Sequence, residues 1–365
     1  MATTRRPFSD ENLNPQDNKP RRRTKSSYSW STSKDDKNAK HIRVSIVVPT
    51  CGRPALLDRC LEALVDQHID PASYEIIVVD DGASRETKAV VAQWTARVLG
   101  QGPIIGYIGV TKAPHGPAAA RNHGWRAANG DVIAFTDDDT VPDVNWLRNS
   151  LQAFKGKIHA AWGRIVMPLP EQPTDYELDA QGLQRAEFAT ANCFCLKRVL
   201  EAMNGFDEQF SLPWREDADL YFRLLSYDAR VVYIPEAIVI HPVRPAPWGV
   251  SISQQKKVFF DALLFKKHRL LYRQKIRATP RWDYYAIVSM LLLLLTGLIL
   301  QWPALATIAG VIWLALTGRF CRQRLRHTSK SPRHLAEMIV TSAIIPPLAV
   351  FWRFAGAVKF RVGFV

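Results

Sequence analysis

Apolar runs and amphipathic runs alternate along residues 43–140. Four short apolar runs are rich in β-branched residues, which is typical of buried strands. Two longer runs between them have apolar residues at helical spacing, and Pro54 stands near the start of the first. The order strand, helix, strand predicts parallel βαβ units with right-handed crossovers, and therefore an α/β domain. The predicted strands are 43–48, 74–79, 104–110 and 132–135, and the predicted helices are 54–67 and 86–99.

The pattern continues less regularly as far as residue 241. A segment rich in proline and acidic residues, 168–182, is predicted to be a long loop and a candidate substrate lid. Around it the apolar patterns predict further strands and helices. The predicted strands are 160–167, 186–196, 230–234 and 237–240, and the predicted helices are 145–154, a short helix before Gly205 and a helix that begins near Trp214.

Polar side chains follow three of the predicted strands. Pro49 and Thr50 close the first strand, Asp80 and Asp81 the second, and Asp137–Asp139 the fourth. Ligands of such sheets bind outside the carboxyl ends of the strands, so we expect these groups in one crevice. Three adjacent carboxylates need a positive partner, and Mg²⁺ typically uses one or two carboxylates plus substrate phosphates. A solvated acidic turn is the alternative, but three strand ends at one edge favour an active site.

The segment His115–Gly124 supplies a helix start beside this edge. Gly116 and Pro117 predict a loop followed by the first helical turn, and Arg121 lies in the next turn. A helix N-terminus and an arginine favour a phosphate, although a surface arginine on a connecting helix has the same pattern. The sequence contains neither GxGxxG nor a Walker A loop, so it gives no support to dinucleotide or P-loop binding.

A second group of acids lies far from the first in sequence. Glu216, Asp217 and Asp219 open a predicted helix, where acids are often only partners of the helix dipole. In a chain with a metal-type acidic cluster, a separate carboxylate is also what general base catalysis requires. His241 ends the last strand and is either a structural residue or a metal ligand.

The charge of the chain is uneven. The net charge is +14, and residues 1–41 carry many basic residues but almost no aliphatic ones, so we expect this tail to be disordered. No apolar segment follows its basic residues, so we expect no signal peptide. The five cysteines show neither zinc spacing nor a disulfide framework, which favours a reduced, cytoplasm-facing location.

The last third of the chain has the composition of a membrane anchor. In 254–281 many lysines and arginines interleave with aromatic and aliphatic residues, and Asp261 is the single acid. This predicts a basic amphipathic helix on an anionic membrane surface; a nucleic-acid patch is the alternative. The neighbouring segment 284–317 contains no charge, and its break at 301–303 predicts two short spans, which favours the membrane.

The topology is predicted from the charges that follow. Segment 319–334 is basic without any acid, which places it in the cytoplasm. A full span by the last apolar segment, 335–352, would carry Arg353, Lys359 and Arg361 outside. We therefore expect a re-entrant or interfacial helix there, with a third span as the alternative.

Six motifs carry a resemblance to a known family. They occur in the order seen in family 2 glycosyltransferases, and over residues 42–245 the chain resembles an inverting enzyme of that family. The resemblance implies a GT-A fold, which is a Rossmann-like nucleotide-sugar-binding domain. The motifs are Val44–Thr50, Glu75–Gly82, Gly116–Asn122, Phe135–Asp139, Asn204–Glu208 and the pair Glu216-Asp217.

The resemblance also implies roles for single residues. The donor is expected to be a nucleotide-diphosphate sugar held through Mg²⁺ or Mn²⁺. Asp217 is the implied catalytic base with Glu216 in support, and Asp139 is the implied metal ligand, with His241 as a second candidate. Asp81 is expected to contact the base of the nucleotide and Asp137 the nucleotide itself. The remaining candidates for donor binding are Pro49, Thr50, Arg121 and Asp138.

The sequence thus predicts a glycosyltransferase anchored in the cell membrane, with a cytoplasmic catalytic domain. We expect a lipid-linked or membrane-proximal acceptor and no nucleic acid partner. A processive polysaccharide synthase is the first alternative, although Ala278 replaces the glutamine of the Gln-x-x-Arg-Trp motif before Arg281-Trp282. A non-catalytic membrane scaffold is the second. The expected regions are a tail at 1–41, a catalytic domain at 42–245, an interfacial helix at 250–282, a hairpin at 284–318 and a third membrane or re-entrant helix at 335–355.

Overall fold

The structure is a computed structural model that describes residues 42–364. The tail at 1–41, for which we expect disorder, therefore lies outside the described residues. The described chain divides into two compact units, each built from several segments. The first unit contains residues up to 165, 187–211 and 223–240, and the second contains 166–186, 212–222 and the residues from 241 onwards.

An eight-stranded mixed sheet forms the centre of the first unit, in the order β3-β2-β1-β4-β7-β6-β8-β5. Strands β1 to β4 pair in parallel, as the sequence predicts, whereas β7 runs antiparallel to both β4 and β6. Both faces of β1 and β2 are buried, and most of their residues are apolar. The strands are β1 (Val44–Thr50), β2 (Tyr74–Asp80), β3 (Ile104–Gly109), β4 (Val132–Phe135), β5 (Val141–Pro142), β6 (Ala160–Val166), β7 (Cys193–Leu196) and β8 (Val231–Ile240).

Helices connect these strands, and the helix Pro117–Ala127 packs unusually close to the sheet. A Cβ atom at its residue Gly124 would lie 2.3 Å from the Cγ1 of Val47, so this helix can pack against β1 at that distance only with glycine there. The first seven helices are α1 (Pro54–Val65), α2 (Arg85–Arg97), α3 (Pro117–Ala127), α4 (Trp146–Ala153), α5 (Asp175–Gln181), α6 (Lys197–Met203) and α7 (Glu216–Ser226). Of these, α5 and the first residues of α7 belong to the second unit.

The strand predicted at 186–196 is wrong except for its last four residues. A 3-10 turn at Thr190–Asn192 precedes β7, and the apolar residues before it are buried without being extended. The side chain of Asn192 accepts a hydrogen bond from the Nε1 of Trp146 at 2.9 Å and donates to the carbonyl of Ala237, also at 2.9 Å. These two hydrogen bonds connect the turn to α4 and β8.

The long loop predicted at 168–182 is also wrong, because it contains α5. Thr174 and Glu177 form a capping box, in which the Thr174 side chain accepts from the Glu177 amide and Glu177 accepts from the Thr174 amide. Two amides at the start of α5 are satisfied in this way. The segments predicted as two strands at 230–234 and 237–240 are one continuous strand, β8.

The single amphipathic helix predicted at 250–282 is replaced by short pieces. A 3-10 segment (Gln255–Val258) joins the first two, the backbone leaves helical geometry at His268, and a π-helical segment (Tyr272–Ile276) follows. The middle piece is buried over most of its length. The pieces are α8 (Val250–Gln254), α9 (Phe259–Lys267) and α10 (Arg269–Leu271).

Three longer helices complete the second unit, and each is long and apolar enough to cross a membrane. They are α11 (Trp282–Ile299), α12 (Pro303–Arg324) and α13 (Pro332–Phe360). The predicted break at 301–303 is confirmed, since Gln301 has φ 51° and Pro303 begins α12. A Cβ atom at Gly297 would lie 2.7 Å from the amide nitrogen of Ala306, so the hairpin closes tightly.

Candidate active site

The predicted polar residues meet at the carboxyl edge of the sheet. Strands β2, β1 and β4 are neighbours, and the register pairs Thr50 with Asp80. Phe135, the last residue of β4, pairs with Val47 of β1, and Asp137–Asp139 follow Phe135 after Thr136. The convergence of three strand ends that the sequence predicts is therefore present in the first unit.

The three acids after β4 have different environments. Asp138 is fully buried, accepts a hydrogen bond from the Oγ1 of Thr50 at 2.6 Å and lies 2.7 Å from the Nη2 of Arg53. Burial raises the pKa of Asp138 to about 6, while Arg53 and Thr50 act in the opposite direction. Asp138 is thus held inside the protein, where it fixes the end of β1 to the acidic turn.

Asp137 is partly exposed, whereas Asp139 is buried. A carboxylate oxygen of Asp137 lies within 4.8 Å of one of Asp139, a separation suited to a shared cation. The Nη2 of Arg121 donates to Asp137 at 2.7 Å, and this arginine is itself almost completely buried. The hydroxyl of Thr140 donates to the carbonyl of Asp137 at 2.7 Å and closes the turn.

Arg121 reaches Asp137 because of how α3 begins. Gly116 has φ 108°, and a Cβ atom there would lie 2.5 Å from the carbonyl oxygen of Ser211, so the loop before Pro117 requires glycine. The helix then runs across β1 on Gly124, as described above, and directs Arg121 to the acidic turn. The sequence pattern around Arg121 is also compatible with a surface arginine, but in the structure Arg121 is buried and forms an ion pair with Asp137.

Two arginines contact this group of carboxylates. Arg53 pairs with Asp138 and Arg121 pairs with Asp137. Clustered carboxylates in a partly desolvated site attract a cation, and carboxylate oxygens are the donors that Mg²⁺ and Mn²⁺ prefer. The donor set of Asp137 and Asp139 therefore fits a hard divalent ion.

Asp80 and Asp81 also differ in burial: Asp80 is fully buried and Asp81 is partly exposed. Asp80 is buried, and its Oδ2 accepts from the amide of Ser84 at 2.7 Å and from the hydroxyl of Tyr107 at 3.0 Å. Asp81 accepts from the amide of Gly116 at 2.6 Å and lies 2.6 Å from the Nδ1 of His115. Asp81 is thus the member of this pair that reaches the loop before α3.

His241 directly follows the last residue of β8. In the antiparallel pair of β5 and β8, Val141 faces Ile240. Val141 is two residues beyond Asp139, and Ile240 is the residue before His241.

In the second unit, the acids at the start of α7 have unequal exposure. Asp219 is fully buried and forms ion pairs with Lys267 and with His268, whose Nε2 is 3.0 Å away. Glu216 is also buried, whereas Asp217 is partly exposed and its Oδ1 accepts from the amide of Ala218 at 2.6 Å. Asp217 is therefore the acid of this group that solvent reaches.

The residue before these acids is held by an unexpected partner. Arg215 has φ 77°, and its Nε donates to the buried Asp261 of α9 at 2.7 Å. The same Asp261 accepts from the Nε1 of Trp214 at 2.9 Å and from the hydroxyl of Tyr272 at 3.3 Å. We call these four residues, together with Arg353 at 4.0 Å from Asp261, the Asp261 network.

Arg53 and Asp261 are the residues that sequence reasoning missed. Arg53 lies between a strand end and the first proline of α1, the same kind of position as the polar residues that were singled out. Asp261 was visible as the only acid in a basic segment. A lone acid among cations in a segment that contains buried aromatics indicates an internal ion pair.

Comparison with known proteins adds a family to this geometry. Residues 45–193 match the family model described as Glycosyl transferase family 2. Glycosyltransferase AglE of Haloferax volcanii is 23% identical over 227 residues, which cover 59% of this chain and 71% of that protein. Validoxylamine A glucosyltransferase of Streptomyces hygroscopicus is 34% identical over 252 residues, and the match spans about half of its length, 52%.

Among solved structures, the mannosyltransferase PcManGT from Pyrobaculum calidifontis, in complex with GDP-Man and Mn²⁺, shares the fold. The superposition covers 87% of each chain with a TM-score of 0.51 and 16% sequence identity. At this identity the likeness concerns the fold alone.

Proposed function

Because the chain belongs to the family 2 glycosyltransferases, we propose that it transfers one sugar, with inversion, from a nucleotide-diphosphate donor to a lipid-linked or membrane-proximal hydroxyl. The observation that carries the donor half is the close approach of Asp137 and Asp139 at the strand ends, where their carboxylate oxygens lie within 4.8 Å of each other. A divalent cation held there would suit an anionic diphosphate.

We assign the metal to Asp139 and Asp137, with His241 as a third ligand. The pairing of Val141 with Ile240 supports His241, because these residues are close in sequence to Asp139 and His241 respectively. When bound, the metal neutralises negative charge on the departing diphosphate. The solved mannosyltransferase of the same fold holds GDP-Man and Mn²⁺, which supports this class of donor and cofactor.

The remaining donor contacts come from the other strand ends. Asp81, beside His115 and the amide of Gly116, is our candidate for the contact with the nucleotide base. Arg121 places a guanidinium next to Asp137 near the start of α3, where an anion is also favoured by the helix dipole. Thr50 and Asp138 act on the donor by positioning the acidic turn, and Pro49 is the residue before Thr50 in β1.

The acceptor half rests on Asp217. Its carboxylate takes the proton of the acceptor hydroxyl while the hydroxyl oxygen forms a bond to the anomeric carbon. The bond between that carbon and the diphosphate oxygen breaks, and the electron pair leaves with the nucleoside diphosphate. Attack from the face opposite the leaving group inverts the configuration, so one base is sufficient. Glu216, buried beside it, is assigned to support.

The proposed location is the cell membrane, with the catalytic side in the cytoplasm. Residues 284–317, which make up most of the hairpin of α11 and α12, carry no charge, and the segment 319–334 is rich in lysine and arginine. The acceptor is inferred from this anchor: a hydroxyl on or near the membrane is the substrate that an anchored enzyme meets.

A donor screen on purified full-length protein tests the proposal. Nucleoside diphosphate release is followed for a panel of uridine, guanosine and thymidine diphosphate sugars, with lipid extract as acceptor and with Mn²⁺ or Mg²⁺. We expect release with one donor class, abolished by EDTA. A single added sugar per acceptor supports the transferase, whereas long products would indicate a processive synthase. Absence of release with every donor would favour the scaffold.

A further inference from the structure

Helix α13 has one buried face and one exposed apolar face along its whole length. The buried residues recur at helical spacing from His334 to Gly356. The exposed apolar residues form a stripe on the opposite side. This is the pattern of a helix that packs against protein on one face and presents an apolar surface to its surroundings on the other. The exposed stripe consists of Ile339, Val340, Ile344, Phe351, Phe354 and Val358.

The midpoint of α13 packs at the base of the hairpin. Ile345 and Ala349 form a buried cluster with Tyr284, the third residue of α11. Phe320, four residues before the end of α12, packs against the same cluster and meets the ring of Tyr284 at 5.3 Å. A helix that crossed the membrane parallel to the hairpin would bring its midpoint to the hairpin's midpoint.

Arg324 fixes the same relation from the end of α12. Its Nη1 donates to the hydroxyls of Thr341 and Ser342 of α13 at 2.7 and 3.2 Å, and its Nη2 donates to Asp175 at 2.6 Å. By contrast, Leu292 near the middle of α11 is exposed. The part of α13 just before its midpoint is thus bound to the last residue of the hairpin.

Both ends of α13 meet one polar segment that precedes the hairpin. Near its start, Glu337 accepts from the amide of Gly249 at 2.7 Å. Near its end, a Cβ atom at Gly356 would lie 2.5 Å from the carbonyl oxygen of Phe259, and Arg353 lies 4.0 Å from Asp261.

The segment that holds both ends, 249–267, does not itself have the composition of a membrane span. It carries Lys256, Lys257, Asp261, Lys266 and Lys267 and is not among the three candidate spans of the described chain. The two ends of α13 therefore contact one polar segment, whereas a crossing would separate them by the hydrocarbon core, about 30 Å.

We propose that α13 lies along the membrane surface, with its exposed stripe in the boundary between headgroups and acyl chains of the leaflet that the hairpin enters. The occupant of the stripe is lipid, because α11 and α12, which α13 contacts, also expose many large apolar residues and require the same medium. Residues 42–364 then cross the membrane twice. Arg353, Lys359 and Arg361 stay on the side of the basic segment 319–334, which satisfies the positive-inside tendency.

Depth measurements in liposomes test the proposal on the full-length chain. A nitroxide is attached to a single cysteine at Val340, Phe351 or Val358, in a background without the five native cysteines. We expect the same shallow depth at all three positions, and a greater depth at a Leu292→Cys control in α11. A depth that rises to a maximum at Phe351 would mean that α13 crosses. Labels without lipid contact would indicate that another protein surface covers the stripe.

A reporter at the C-terminus gives an independent measurement that leaves the native cysteines in place. The full chain is fused after Val365 either to green fluorescent protein or to alkaline phosphatase, which is active only outside the cytoplasm. We expect fluorescence and no phosphatase activity, since two crossings return the chain to the cytoplasm. Phosphatase activity with loss of fluorescence would overturn the proposal. If the Leu292→Cys label is shallow as well, the hairpin itself does not cross and the premise fails.

Discussion

The acids at the strand ends of the first unit and the acid of the Asp261 network in the second unit have different surroundings. At the strand ends, Asp137, Asp138 and Asp139 are adjacent in sequence, and carboxylate oxygens of Asp137 and Asp139 lie within 4.8 Å of each other. In the second unit, Asp261 is a single buried acid that meets Arg215 and Arg353 and also accepts from two neutral donors. The first unit thus gathers several acids at one place, whereas the second surrounds one acid with several donors.

The difference separates a ligand site from a structural one. Buried carboxylates with a complete set of donors stabilise a local geometry, and removal of one partner leaves an uncompensated charge. Neighbouring carboxylates whose oxygens lie close together favour a bound cation instead. The three adjacent acids at the strand ends differ from one another in the same respect. Asp138 is enclosed by Thr50 and Arg53, unlike Asp137 and Asp139.

The largest effect is expected from a change in the strand-end group. Asp139→Asn should abolish turnover and donor-dependent metal binding, because the amide removes a charged ligand where few protein ligands exist. Turnover and the binding of Mn²⁺, followed by its electron spin resonance signal with and without donor, measure this. Glu62→Gln, an exposed acid on α1, is the matched control. Undiminished activity in EDTA would show that the metal assignment is wrong.

A smaller but still large effect is expected from the base. Asp217→Asn keeps the shape and removes the proton acceptor, so transfer should fall about 10²–10⁴-fold. Donor affinity, measured by titration calorimetry, should change little. Glu171→Gln, an exposed acid in the same unit, should leave the rate unchanged. A near wild-type rate would move the base to Glu216, since Asp219 is enclosed by Lys267 and His268. A loss of donor affinity would instead place Asp217 in the metal site.

The Asp261 network should respond in stability before chemistry. Asp261→Asn leaves Arg215 without its buried counter-ion, which costs about 3–5 kcal/mol for pairs of this kind. Thermal unfolding in detergent should show a clear fall in the midpoint. The control is Asp283→Asn, which removes an exposed pair with Arg281 and should cost less than about 1 kcal/mol. Equal shifts for the two variants would contradict the distinction between buried and exposed pairs.

The smallest effect is expected from salt. High salt screens surface charge but not hydrophobic insertion, so the full chain should stay in the membrane fraction after a salt wash. Immunoblots of the washed membranes and the supernatant measure the distribution. Release into the supernatant would mean that the basic residues, and not α11 and α12, anchor the protein.

Strands were predictable where the sequence carried a periodic signal. β1, β2 and β4 are short apolar runs with polar ends, and their parallel order follows from the helices between them. The region before β7 misled because apolar residues indicate burial, not extension. Phe188 and Ala191 are buried although they do not lie in a strand. The side chain of Asn192 forms hydrogen bonds with Trp146 and Ala237 in this region.

The site was predictable in its acids but not in its cations. Carboxylates after strands give a local signal, whereas the contact of Arg53 with Asp138 depends on the path of the chain beyond β1. The sequence predicts a loop where α5 lies, because segment 168–182 is rich in proline and acidic residues. The capping pattern of Thr174 and Glu177 is the signal that indicates the helix. The sequence predicts one helix in place of α8, α9 and α10, because basic and apolar residues alternate without interruption there. The helical backbone is nevertheless interrupted between the pieces.

The length of α11 has a consequence for the bilayer that surrounds the protein. Its 18 residues extend about 27 Å, less than the roughly 30 Å of a typical hydrocarbon core. The base of the hairpin is bound by Arg324 to Thr341 and to Asp175, which limits how far the hairpin can be drawn into a thicker layer. A bilayer crossed by α11 is therefore expected to thin around this helix, at a cost of a fraction of a kcal/mol per Å of mismatch. We expect short-chain lipids to match α11 best and the protein to partition toward the thinner regions of a mixed membrane.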